Sequence, residues 1–470
     1  MKIEQIYTGC IAHAAYYLEN NGEAAIFDPL REVQPYIDRA TKDHAKIKYV
    51  FETHFHADFV SGHLDLAKKT SAQIVYGPTA KPGFIALVAE DNQEFKVGNY
   101  TIKVLHTPGH TMESTCFLLI DENGKEHGII TGDTLFIGDV GRPDLAQHVI
   151  ADLTQDKLAA HLFDSLRTKI LPLSDDLIVY PNHGAGSACG KKMSKETTDT
   201  LGNQKKTNYA LRADMSKEEF IKELLTGLTN PPGYFPKNVL MNIQGYESLD
   251  TVMTRGKKAL NPEEFELLAN ETEALIVDTR SPEVFAKGFV PNSINIGLDG
   301  SFAMWVGEMI KDIKQEILII ADQGKEEEVI IRLSRVGYDH AIGFLGGGFE
   351  SWKKANKEID QVNRINAAQF EDLNTNNPIV IDVRKKSEFD SEHVVNALNV
   401  PLNEINDHLS MFPKDKMFIL HCGGGYRSMI AASILKSRGW DDFVDVEGGF
   451  VEIAKTNTPR TEYVCPTTLL

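Results

Sequence analysis

A multi-domain α/β protein is predicted by three observations. Strand-like and helix-like stretches alternate through the first ~230 residues. The remainder contains an internal repeat, two copies of ~100 residues each. The length of 470 residues exceeds one ordinary core and calls for two to four domains.

The N-terminal strands come in order. "AAIFDP" (24–29), "IKYVFET" (47–53), "QIVYGP" (73–78), "YTIKVLHT" (100–107), "HGIITGD" (127–133) and "DLIVYPNH" (176–183) are short runs rich in Val, Ile and aromatics that end in polar or Gly/Pro turns. "TNPPGYFPKN" (229–238) then breaks regular structure with three prolines and a glycine. It marks the exit of the first domain or an arm packed over it.

The repeat aligns "ALIVDTRSPEVFAKGFVPNSINI" (274–296) with "PIVIDVRKKSEFDSEHVVNALNV" (378–400). Asp278, Arg280, Phe285 and Asn295 each fall 104 residues before Asp382, Arg384, Phe389 and Asn399. Each copy reads strand, helix, strand, loop, helix, strand, the pattern of a small parallel α/β domain. The copies part at one place: the second has "FILHCGGGYRSMIAASIL", and Asp322 of the first occupies the position of Cys422.

Composition narrows the function classes. The chain is 42% hydrophobic and 25% charged, with a net charge of −18. An acidic surface disfavours nucleic acid and anionic membranes as partners. No apolar run reaches membrane-spanning length, and the N-terminus lacks the apolar stretch of a signal peptide. Five scattered cysteines fit individual thiols in a reducing compartment rather than a disulfide framework. A cytoplasmic protein is expected.

Two constellations carry chemistry. In the first, four distant segments each end a strand with a potential ligand: His54, His56 and Asp58 in "THFHADFVSGH", His110 in "HTPGH", Asp133 in "TGD" and His183 in "PNH". Strand ends gather at one edge of a layered α/β fold, so these groups can converge. Imidazoles with carboxylates suit zinc or iron. In the second, "HCGGGYRS" lies between an apolar strand and an apolar helix. Gly423, Gly424 and Gly425 let the backbone wrap with its amides inward, Tyr426, Arg427 and Ser428 open the helix, and Arg427 closes the loop. Such a loop stabilises an anion on the Cys422 sulfur. Cys-x4-Arg makes a smaller cradle than the Cys-x5-Arg of tyrosine phosphatases, of a size for one sulfur atom.

Through "HFHADFVSGH", "HTPGHTMEST" and "TGDTLFIGDVGRPDL", residues 1–245 resemble the metallo-β-lactamase fold, and its persulfide dioxygenase branch more than glyoxalase II or the lactamases. Residues 363–460 resemble a rhodanese sulfurtransferase domain, and residues 258–358 a second one whose nucleophile is replaced. Asp322 and Glu326 to Glu328 stand where thiol and Arg would be, so the first copy would repel anions and serve packing or oligomerisation. The resemblance implies an αββα sandwich followed by two parallel-sheet domains. It also implies one non-haem Fe(II) per chain on His54, His110 and Asp133. Two-metal hydrolases carry a histidine where this chain has Phe59, which disfavours a second ion. His56, Asp58 and His183 would then orient ligands or hold a second metal weakly.

The implied reaction takes a low-molecular-weight persulfide and O2 to sulfite and a thiol, with sulfite and sulfane sulfur joined as thiosulfate at Cys422, or the reverse. The thiol carrier is open among glutathione, coenzyme A, bacillithiol and inorganic polysulfide. Arg142, Cys189 and Lys191 are candidate substrate contacts, with a tethering role favoured for Arg142; Lys191 and Lys192 beside Cys189 would favour its thiolate. Self-association into a homo-oligomer is expected. The alternatives are a zinc-dependent, glyoxalase II-like thioester hydrolase joined to a sulfurtransferase, and a non-oxidative sulfur carrier or sensor.

Overall fold

The computed structural model describes residues 2–145, 153–228 and 230–465. The chain divides into two compact units, Met1–Val252 with Ile331–Asp339, and Met253–Ile330 with His340–Leu470.

The first unit is built on two six-stranded sheets. One contains β1 (Lys2–Thr8), β2 (His13–Asn20), β3 (Glu23–Phe27), β4 (Lys46–Glu52), β5 (Gln73–Tyr76) and β6 (Leu87–Val88), in that spatial order. The other contains β7 (Glu94–Val97), β8 (Tyr100–His106), β9 (Thr115–Ile120), β10 (Glu126–Gly132), β11 (Ile178–Pro181) and β12 (Asp199–Thr200), in reverse order. Strand β2 shows why they stack. Its side chains alternate with period two, so Tyr16 and Leu18 enter the core between the sheets while Ala15 and Tyr17 face a helical layer.

Phe27, Phe51 and Val75 meet Ile102, Phe117 and Ile130 in the central core. Tyr36 and Leu66, on helices Gln34–Lys42 and His63–Thr70, cover the first sheet. Leu162 and Phe220, on helices Gln155–Ser165 and Lys217–Leu225, cover the second. The architecture is the αββα sandwich the resemblance implies, and the six expected strands appear as β3, β4, β5, β8, β10 and β11.

One expectation fails in part. Helix Phe235–Gln244 starts inside the proline-rich segment expected to break regular structure. Pro236 lies in its first turn, where an amide hydrogen has no intrahelical partner and its loss costs nothing. Within the same unit, fully buried Arg31 donates to Asp339 at 2.6 Å and to the carbonyls of Ser334 and Glu247, and stacks on Tyr246.

The second unit holds two five-stranded parallel sheets of identical order. The first runs β13 (Ala259–Leu260), β17 (Ala341–Leu345), β16 (Ile317–Ile320), β14 (Leu275–Asp278), β15 (Ile294–Asn295). The second runs β18 (Arg364–Ile365), β22 (Phe443–Val446), β21 (Phe418–His421), β19 (Ile379–Asp382), β20 (Leu398–Asn399). The repeated residues do the same work in both. Asn295 donates to the carbonyls of Asp278 and Arg280, and Asn399 to those of Asp382 and Arg384. Arg280 pairs with Asp278 and stacks on Phe349; Arg384 pairs with Asp382 and stacks on Phe450. Among the described residues, no helix is long and apolar enough to cross a membrane.

Candidate metal centre and thiol loop

Strand ends at one edge of the sandwich deliver the potential ligands. His54, His56 and Asp58 follow β4, His110 follows β8, Asp133 follows β10 directly and His183 follows β11. Glycine makes the approach possible at two points. Gly132, at φ +52°, would place a Cβ 2.6 Å from the Thr53 Cβ, and a Cβ on Gly141 would lie 2.1 Å from the Asp133 carbonyl oxygen.

His54, His110 and Asp133 offer buried ligand atoms within 4.8 Å of one another. Asp133 Oδ2 lies 3.4 Å from His110 Nε2 and 3.9 Å from His54 Nε2. The other ring nitrogens are taken: His110 Nδ1 donates to the Arg142 carbonyl at 2.8 Å, and His54 Nδ1 sits 2.9 Å from Thr53 Oγ1. That bonding leaves Nε2 of both rings free to face Asp133. Burial, with the neighbouring imidazoles, lowers the pKa of His54 and favours its neutral, ligating form.

Both Asp133 oxygens and both Asp58 oxygens are buried without a hydrogen-bond partner among the described residues. A buried ion without compensation costs several kcal/mol. A cation between these carboxylates and imidazoles would repay that cost, so the residues fit a divalent metal.

The remaining expected residues divide. His56 is not in the first cluster; with Asp28 and Glu52 it forms a second group of close, buried side chains. Its Nε2 lies 3.0 Å from Asp28 Oδ1 and 3.4 Å from Glu52 Oε2, and its Nδ1 has no hydrogen-bond partner among the described residues. Burial opposes charge on this ring, yet the two carboxylates prevail and raise its pKa well above the ordinary imidazole range. Asp58 and His183 group with Cys189. Phe59 is fully buried, its ring 4.4 Å from His56 and 4.2 Å from His13.

Two of the three candidate substrate contacts are otherwise engaged, and the third is not activated. Arg142 is buried, forks onto Asp144 with two 2.6 Å bonds and reaches the Ala188 carbonyl. Lys191 Nζ donates to the carbonyls of Glu223 and Thr226, so it does not serve Cys189. The expected thiolate-favouring surroundings of Cys189 are absent: burial first, then the charges of Asp58 and Asp133, push its thiol well above the ordinary range.

Sequence reasoning missed Asp28, Glu52 and His13. Asp28 accepts from the Thr53 amide at 2.7 Å and from Asn182 Nδ2 at 2.9 Å, which ties the first loop to the last. It follows β3 as Asp133 follows β10, so the strand-end rule that found Asp133 could have found it.

A cavity of about 430 Å³ opens beside the cluster, with His110 in its wall. Phe55, Leu145, Val239 and Ile243 make it apolar, and Lys81 and Glu113 are its charged groups.

In the second unit, Cys422 follows β21 and is buried. The Gly425 amide donates to its sulfur at 3.1 Å, and helix Tyr426–Lys436 begins at once. Gly449, at φ +55°, would carry a Cβ 2.3 Å from the Cys422 carbonyl oxygen, so the facing turn must be glycine. Arg427 lies over the loop, where a Cβ on Gly423 would come 3.0 Å from its Nη2. Its guanidinium forks onto Glu388 at 2.6 and 2.8 Å, holding the helix start to a neighbouring element. Tyr426 donates to the Gly297 carbonyl of the first repeat at 2.6 Å.

Residues 8–183 match the family description Metallo-beta-lactamase superfamily, and residues 261–355 and 366–456 each match Rhodanese-like domain. A solved metallo-beta-lactamase from Staphylococcus aureus subsp. aureus COL is 32% identical, with a TM-score of 0.65, covering 73% of this chain and 98% of that one. The chain belongs to the metallo-beta-lactamase superfamily. Its second half carries two rhodanese-like domains.

Among curated proteins, a probable hydroxyacylglutathione hydrolase of Schizosaccharomyces pombe is 31% identical over 38% of this chain and 66% of its own length. A hydroxyacylglutathione hydrolase of Rhizobium etli is 32% identical over 35% and 58%. The chain thus spans about three-fifths of the length of these curated relatives.

Proposed function

We propose that the first unit is a non-haem Fe(II) persulfide dioxygenase and that Cys422 is the nucleophile of a sulfurtransferase. The observation that carries this reading is the His54, His110 and Asp133 cluster, two imidazoles and one carboxylate beside an apolar cavity, with Phe59 where a second-metal histidine would stand. That donor set suits mononuclear iron with open positions. Iron held there would supply adjacent sites for a persulfide sulfur and for O2.

The chain's own groups do the rest. Thr53 and the Arg142 carbonyl fix the two rings. Phe55, Leu145, Val239 and Ile243 give the cavity an apolar wall. One persulfide, one O2 and one water yield sulfite, the free thiol and two protons, the outer sulfur losing the electrons that O2 gains.

At the second site, the Gly425 amide and the helix start stabilise negative charge on the Cys422 sulfur. The outer sulfur of a Cys422 persulfide passes to sulfite, the S–S bond breaks, thiosulfate forms and the Cys422 thiolate departs. Asp322 in the first repeat cannot carry sulfur.

A second reading is favoured by the names of the curated relatives: a zinc-dependent thioester hydrolase joined to the same sulfurtransferase. Oxygen-electrode assays on Fe(II)-reconstituted protein decide between them. The dioxygenase reading expects O2 uptake on glutathione or coenzyme A persulfide, stoichiometric with sulfite plus thiosulfate. Thioester turnover by the zinc form, with no O2 uptake by the iron form on either persulfide, would replace it.

A further inference from the structure

We propose that Arg364, aimed by buried Asp445, is a positioning residue for sulfur transfer: it packs on Gly425, the residue whose amide holds the Cys422 sulfur. The inference rests on the reading of Cys422 as the nucleophile, and it starts from a difference between the two repeats. Parallel strands β18 and β22 pair Arg364 with Asp445, and β13 and β17 pair Ala259 with Phe344. The register is the same in both. The amides of Asp445 and Glu447 donate to the carbonyls of Asn363 and Ile365 at 2.9 Å, and those of Phe344 and Gly346 donate to Lys258 and Leu260 at 2.9 and 2.8 Å. The copy that carries the thiol thus has an ion pair where the copy that carries Asp322 has an alanine and a phenylalanine.

The apolar pair of the first repeat shows that this fold does not need the charges. Burying them is costly, since the Asp445 side chain is fully buried and that of Arg364 only 10% exposed. Replacing a buried ion pair by apolar groups is often neutral or stabilising, so packing alone gives no reason to keep one here.

Position supplies the reason. Arg364 Nε donates to Asp445 Oδ2 at 3.0 Å, which orients the planar guanidinium. A Cβ built on Gly425 would lie 3.6 Å from Arg364 Nη2, so the guanidinium packs against that residue. The Gly425 amide donates to Cys422 Sγ at 3.1 Å. A Cβ on Gly424 would meet nothing within 4 Å, so the loop is held at its two ends, by Arg427 at Gly423 and by Arg364 at Gly425. When the outer sulfur leaves Cys422, the S–S bond breaks and its electron pair stays on Sγ, where the Gly425 amide meets the growing charge. A hydrogen bond that strengthens as charge grows lowers the barrier and not the affinity for the donor. Loosening Gly425 should therefore show in kcat.

The test is sulfur transfer from thiosulfate to cyanide by the full chain. The Cys422 thiolate takes the outer sulfur of thiosulfate and releases sulfite; cyanide then takes that sulfur as thiocyanate and frees the thiolate. Arg364→Ala combined with Asp445→Phe installs the first repeat's pair and should fold as the parent does, and Arg364→Gln is the milder change. Both should lower kcat about 10-fold or more and hold KM for thiosulfate within about twofold. Hydrogen exchange of the peptide covering residues 422–427 should quicken in both, with β21 unchanged. A kcat equal to the parent's in both variants overturns the assignment, and so does a loss confined to KM, which would make Arg364 a substrate contact. A loss of kcat that comes only with unfolding overturns it as well, since the pair would then serve the fold alone. Cys422→Ser separates the two levels: transfer that survives it overturns the reading of the nucleophile, whereas transfer that needs Cys422 but ignores Arg364 overturns the positioning role alone.

Discussion

Asp133 is the residue on which the candidate metal centre turns. Its carboxylate is buried, neither oxygen is hydrogen-bonded among the described residues, and three imidazole nitrogens stand within 3.9 Å of it. Asp133→Asn keeps the shape and removes the charge. Iron per chain should fall to background and persulfide-dependent O2 uptake by about 100-fold or more, with sulfur transfer at Cys422 unchanged. The metal-free variant should also be more stable than the metal-free parent, by about 1–3 kcal/mol, because an uncompensated buried charge is gone. Metal analysis and chemical denaturation check the two outcomes; a metal-free variant less stable than its parent would mean the carboxylate is paired without metal. The four ligand-bearing segments were legible because each ligand closes an apolar strand. The roles of the second-rank groups were not. His56 depends on Asp28 and Glu52, and Asp28 on Asn182, 154 residues away, so spacing alone could not sort candidate metal ligand from supporting residue.

Helix Tyr426–Lys436 shows the same division at the scale of an element. Its place after a glycine-rich thiol loop could be read from sequence. Its anchors could not, because Glu388 and Gly297 lie 39 and 129 residues from their partners Arg427 and Tyr426. The first repeat thus braces the working loop of the second: besides the Tyr426 bond, the Asn295 amide donates to Ser433 Oγ at 3.0 Å. Tyr426→Phe should lower kcat for sulfur transfer several-fold with little change in KM, and leave O2 uptake alone. A loss confined to KM would instead make Tyr426 a substrate contact. Strand β22 carries a pH-dependent cost next to this helix. Burial, against Ser428 and Arg364, raises the Asp445 pKa to about 6. A carboxyl whose folded pKa is raised favours folding while protonated. Its contribution is complete below the unfolded pKa near 3.8 and is lost as pH climbs through about 6. Asp445→Asn should therefore gain on the parent, by up to ~3 kcal/mol, between about pH 4 and pH 7. Hydrogen exchange at the β22 amides measures it, and a gain that shrinks with rising pH would refute the assignment.

On the scale of the molecule, the two proposed chemistries would share one product. On the proposed reading, sulfite would leave the first reaction and be the acceptor of the second, so holding both sites on one chain would raise the local concentration of sulfite at the second site. The internal repeat and the strand-end ligand series made this organisation legible, since a ~100-residue period and such a series belong to different folds. Wild-type protein given a persulfide and O2 should accumulate thiosulfate, whereas Cys422→Ser should accumulate sulfite at an undiminished rate of O2 uptake. An equimolar mixture of Asp133→Asn and Cys422→Ser contains both working sites on separate chains. At dilute protein it should make thiosulfate more slowly than the wild type at equal site concentration, and the deficit should close as protein is concentrated. Chromatographic timing of sulfite and thiosulfate follows both. A mixture that matches the wild type at every dilution would show that joining the sites in one chain gives no kinetic advantage, and loss of O2 uptake in Cys422→Ser would show that the thiol loop feeds the metal site rather than draining it.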